Sequence, residues 1–154
     1  MNALLRITGI GSLISLYRYI YINQPQLTRL AGIALILTVG AIHAIEAPDH
    51  FRAAAYLGVL FALNVAATLV AALGILRGAK VWGWTLGALV SGLSALAYLA
   101  SRLFGLPGLG EAAGGWDEPL GSLALIFEGL FLAGWFSIVT GLAVAAPDRR
   151  SWND

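Results

Sequence analysis

The chain has 154 residues, 59% of them hydrophobic and only 11% charged, with a formal net charge of +1 and no cysteine. A water-soluble domain carries roughly a quarter charged residues, so most of this surface must meet something other than water. The near-neutral balance lacks the clustered Lys and Arg that phosphate contacts need, which argues against nucleic acid, and the absent cysteines exclude disulfides and thiolate metal sites.

Residues 4–22 (LLRITGIGSLISLYRYIYI) are apolar but broken by Arg6, Arg18, Gly9 and Gly11, with Tyr17, Tyr19 and Tyr21 together near the end. No small-residue cleavage site follows, so a secretory signal is disfavoured. Tyrosine rings favour the headgroup level, and the stretch reads as an interfacial helix within a segment 1–29; a fifth, poor span is the alternative.

A spanning helix needs about 20 apolar residues. Charge-free runs at 30–45, 53–76 and 81–101, and one at 120–146 interrupted by Glu128 alone, place four spans at about 30–47, 53–76, 81–103 and 120–146. Ala47-Pro48-Asp49, Arg77-Gly78, Leu106-Pro107-Gly108 and Ala146-Pro147-Asp148 punctuate them. The expected architecture is all-α: a four-helix transmembrane bundle over 30–146, preceded by the interfacial segment and followed by a tail, 147–154. Basic residues fall 7 on one side (Arg6, Arg18, Arg29, Arg77, Lys80, Arg149, Arg150) and 2 on the other (Arg52, Arg102). The positive-inside rule then puts both termini in the cytoplasm and makes the chain a multi-pass protein of the inner (plasma) membrane.

Helices in lipid associate through close backbone approach. Gly83, Gly87, Ser91 and Ala95 recur every four residues in the third span and form a packing stripe, spent inside one bundle rather than on homodimerisation. The outer loop 104–119 holds Glu111, Asp117 and Glu118 but no alternating Asp and Asn of a calcium loop. Trp116 is expected to anchor at its interface, and Trp82, Trp84 and Trp152 at the opposite one.

The costly residue is Glu128, about 12 Å into the last span. A carboxyl at that depth needs a proton, a partner or water, so it is either a functional group or a structural one, neutral or ion-paired with Arg102. His43, Glu46 and His50 have the spacing to share one helix face, with imidazole and carboxylate both metal ligands; Pro48 is expected to end the helix and leave only His43 and Glu46 together. His43 and Glu128 are candidates for holding a metal, a proton or a haem- or chlorin-type cofactor; a bis-histidine haem is disfavoured, since both histidines sit on one helix. If the helices turn them inward, His43, Glu46, Tyr56, Tyr98, Arg102 and Glu128 form a polar pocket in the outer half, with Asn64 and Thr68 nearer the middle. No Walker loop, dinucleotide fingerprint or serine elbow is present, and no catalytic constellation argues for an enzyme.

The passages HAIEAPDHFRAAAYLGVLFALNVAATLVAALGILRG and GLPGLGEAAGGWDEPLGSLALIFEG resemble those of small, uncharacterised four-span bacterial membrane proteins. The resemblance covers residues 30–146, implies a bacterial origin and a four-helix unit, and carries over no site residue. The leading expectation is a non-enzymatic accessory or scaffold subunit packed against other membrane subunits or itself. The alternative is a membrane-embedded binding site built on the outer-half pocket.

Overall fold

The computed structural model describes residues 22–79, 81–105, 107 and 113–145. Four α-helices account for most of them: α1 (Pro25–Ala53), α2 (Ala55–Leu76), α3 (Trp82–Phe104) and α4 (Pro119–Val139). Each is long and apolar enough to cross a membrane, and no more than 33% of the most apolar window of any helix is buried inside the protein. The remaining faces carry leucine, isoleucine, valine and phenylalanine outward, as lipid-facing helices do. The expected interfacial helix at 4–22 and the tail 147–154 lie outside the described residues.

Helix ends follow their residues. Pro25 and Pro119 occupy the first turns of α1 and α4, where a missing N–H costs nothing. Gly78 (φ 77°) and Gly105 (φ 73°) take the left-handed turns after α2 and α3. The α2 carbonyl end is also capped from outside, by the Arg29 guanidinium donating to the Leu76 carbonyl.

Three expected boundaries move. α1 begins at Pro25, within the segment 1–29 expected to be interfacial, rather than near residue 30. Pro48 does not end α1, which runs on to Ala53 before a single extended residue, Ala54 (φ −159°, ψ 131°). A proline removes only its own N–H, and the turns beyond it are held by tertiary contacts: His50 stacks on Phe61 of α2 with centroids 3.8 Å apart, and the Phe51 ring covers Gly58 so closely that a side chain there has no room. At the other end α4 stops at Val139, not at 146. Gly141 (φ 77°) turns the chain, and Ala143 forms an isolated parallel bridge with Ile22.

The helices form a square in which α1 and α3 each flank both α2 and α4. Two ends can be named: a proximal end with the start of α1 and the α2–α3 turn, and a distal end with the α1–α2 break and the segment joining α3 to α4. The apolar core (Ile36, Ala71, Ile75, Trp84, Phe131) occupies the proximal half. There a Cβ on Gly83 would fall 2.8 Å from the Gly74 backbone, so α2 and α3 touch through their main chains. Gly87 faces the Phe131 ring and Ser91 is fully buried, while Ala95 is half-buried. Trp84 corrects an expectation: it is not an interfacial anchor but a core residue, 3% exposed, stacked on Phe131 at 5.5 Å and filling the space that Gly32 leaves open. Trp82 and Trp116 do lie half-exposed.

Candidate functional site: a polar cavity in the distal half

Where the core stops, a cavity of about 480 Å³ begins, walled by all four helices. Distal to the Gly74–Gly83 contact, α2 and α3 are bridged by the Asn64 amide donating to the Ser94 hydroxyl. On either side of that bridge the wall residues Leu60, Leu63 and Leu93 are 54%, 59% and 66% exposed, so the cavity opens sideways between α2 and α3.

Its polar wall gathers residues distant in sequence. His43, Glu46 and His50 of α1 all line it, because α1 continues through Pro48. Glu128 lines it from α4 and is 1% exposed, with Oε1 3.8 Å from Nε2 of His43. Its carboxyl makes no hydrogen bond to a described residue. The His43 Nδ1 lies 2.9 Å from the Val39 carbonyl, and the His50 Nδ1 lies 3.0 Å from the Glu46 carbonyl. A carbonyl only accepts, so each Nδ1 carries a hydrogen. In the neutral ring Nε2 is then a lone pair, and for His43 it is the atom turned to Glu128.

Each member of the expected Arg102–Glu128 pair has a different neighbour. The Arg102 guanidinium donates to Glu118, at the N-cap of α4, and lies 4.7 Å from the Tyr98 ring centre. The reason is register. Arg102 is in the last turn of α3, level with the first residues of α4, whereas Glu128 is nine residues farther down, about 14 Å along the axis. The sequence does carry a signal for Glu118: an acid just before Pro119 marks a helix start, and so a place level with the end of α3.

Further contacts close the distal end. The Tyr56 hydroxyl donates to the Pro107 carbonyl, Tyr98 and Ser122 are joined through their hydroxyls at 3.3 Å, and the Gly114 N–H donates to the Arg102 carbonyl at 2.9 Å. Thr68 lies on the Gly40 side of α2 and donates to the Val65 carbonyl, away from the cavity wall.

Among the described residues no three His, Cys, Asp or Glu side chains are gathered closely enough to hold a metal ion. His43, Glu46 and His50 share a wall without sharing a point: both rings turn Nδ1 back to their own helix, and His50 lies flat on Phe61. The two imidazoles stand on one side of the cavity, so they do not face each other across a ring-shaped cofactor. What the arrangement offers is a buried carboxyl and an imidazole lone pair side by side, at the end of a space large enough for a small organic molecule. Comparison with protein-family models, with curated proteins and with solved structures finds no match.

Proposed function

We propose that this chain is a multi-pass membrane protein of the plasma (inner) membrane whose four-helix bundle binds a small molecule in its distal cavity, without catalysing a reaction. The observation that carries the reading is Glu128: a carboxyl 1% exposed, on the wall of the cavity and hydrogen-bonded to no described residue. Ionisable groups at membrane depth are expensive, and a purely structural one is expected to be bonded into the bundle. The distribution of basic residues supports cytoplasmic termini and an outward-facing distal end.

The test is to extract the protein from its native membrane into lipid nanodiscs and identify bound small molecules by native mass spectrometry. Ala67→Trp, which fills the cavity from α2, is the comparison. A small molecule bound to the parent and lost from the filled variant is expected. An empty cavity in both overturns the reading.

A second reading, a non-enzymatic subunit packing against a larger membrane complex, is favoured by α4. Only 17% of its most apolar window is buried, and a Cβ at Gly129 would meet nothing within 4 Å. A stoichiometric polypeptide co-purifying with an empty bundle supports it instead.

A further inference from the structure

We infer that the ligand of this cavity is a lipophilic ammonium, an apolar body ending in a protonated amine, which enters from the bilayer between α2 and α3. The inference rests on the binding-site reading above and names the ligand class for that same cavity.

The head group follows from a donor and acceptor inventory of the wall. Several of its donors are engaged within the protein. The Tyr56 O–H goes to Pro107, the Asn64 amide to Ser94, and the Nδ1–H groups of His43 and His50 to Val39 and Glu46. Arg102 is taken up by Glu118 and lies over the Tyr98 ring. The acceptors remain: the carboxyl oxygens of Glu46 and Glu128, and the Nε2 lone pair of His43 turned toward Glu128. The charges point the same way. Three carboxyls line the cavity, Glu46, Glu118 and Glu128, against one arginine, which Glu118 already holds. An anionic head would therefore meet two further carboxyls. An ammonium brings three N–H donors and a positive charge, which is what two carboxyls and an imidazole can receive.

The apolar body follows from the opening. Leu60, Leu63 and Leu93 line the cavity and are also exposed on the outside of the bundle. Leu63 lies eight residues into α2 from the distal end and Leu93 eleven residues before the end of α3, about 12 and 16 Å in from that end. In a bilayer an opening at that depth meets hydrocarbon, not water. A tail can leave through it while the head stays at Glu46 and Glu128.

The experiment holds the tail constant and changes the head. Radiolabelled dodecylammonium, dodecanoate and dodecanol are titrated onto the protein in nanodiscs, with protein-free discs subtracted. Saturable binding of dodecylammonium, at least about tenfold tighter than the other two and lost in Ala67→Trp, is expected. Glu128→Gln and Glu46→Gln should each weaken it by about tenfold. Fold is checked by thermal unfolding, and the head-group series on the parent protein stands even where a variant fails to fold. Dodecanoate or dodecanol bound as tightly as the amine, and blocked by Ala67→Trp, overturns the cation inference and leaves the binding site standing. Unchanged amine binding in both folded glutamine variants also overturns it. No saturable binding of any head group removes both readings.

Discussion

Nε2 of His43 and Oε1 of Glu128 lie 3.8 Å apart and bring α1 and α4 face to face in the distal half of the bundle. Residues coupled in this way respond non-additively to mutation. His43→Gln and Glu128→Gln, singly and together, should give a double-mutant coupling of about 0.5–3 kcal/mol in unfolding free energy in mild detergent. Additive losses would show that the two side chains do not interact.

The proximal packing predicts a contrast between two glycines. Gly87 faces the ring of fully buried Phe131, whereas Gly129 faces open space on the outside of α4. Gly87→Leu should destabilise the bundle by about 1–3 kcal/mol or more, since overpacking forces the backbones apart. Gly129→Leu should leave stability nearly unchanged. A monomer equally tolerant of both would contradict the packing; loss of a co-purifying polypeptide in Gly129→Leu alone would point to the subunit reading.

Ser91 makes the opposite kind of prediction. Its Oγ is buried without a hydrogen-bond partner. A buried hydroxyl left unbonded costs about 1–3 kcal/mol, and Ser91→Ala removes it with almost no change of volume. Thermal stability should rise. A fall would mean that the hydroxyl is bonded in the folded protein.

Much of this arrangement can be read in the chain, and what cannot has physical causes. Charge-free runs reveal four spans because lipid imposes one rule on every lipid-facing side chain. The polar residues His43, Glu46, Asn64, Tyr56, Tyr98, Arg102 and Glu128 stand out for the same reason, and all line one cavity. Partners are another matter. Whether Arg102 meets Glu118 or Glu128 depends on the relative height of α3 and α4, set by packing at Gly87–Phe131 and Tyr98–Gly121 rather than by either helix alone. The passage of α1 through Pro48 depends on His50 and Phe51 finding Phe61 and Gly58 on another helix. Trp84 reads as an interfacial anchor until Gly32, far away in sequence, is seen to make room for its ring.

The basic-residue bias yields a topology test. If the proposed orientation holds, with Arg6, Arg18, Arg29, Arg77, Lys80, Arg149 and Arg150 cytoplasmic, a cysteine in place of exposed Asp117 should react with a membrane-impermeant maleimide in intact cells. A reporter fused after Asp154 should report a cytoplasmic location. Labelling of Asp117→Cys only after lysis would invert the arrangement and turn the distal cavity toward the cytoplasm.

The two acids facing α3 and α1 can be told apart through Arg102. Its side chain is 8% exposed and is held by Glu118, whose own side chain is 48% exposed. Glu118→Gln therefore withdraws the charge from a partner that is itself sequestered, and breaking such a contact costs more than an exposed pair would, about 1–3 kcal/mol. Arg102→Gln in the Glu118→Gln background should recover part of that loss, because the guanidinium that lacked its carboxylate is gone. Glu128 lies about 14 Å farther along α4, so Arg102→Gln should give no recovery in the Glu128→Gln background, and the two losses should add within about 0.5 kcal/mol. Unfolding of the six proteins (parent, three single and two double variants) measures both cycles. If Arg102→Gln instead rescues Glu128→Gln and leaves Glu118→Gln unrescued, the register of α3 against α4 is wrong by more than two turns, and the cavity assignments that depend on it fall with it.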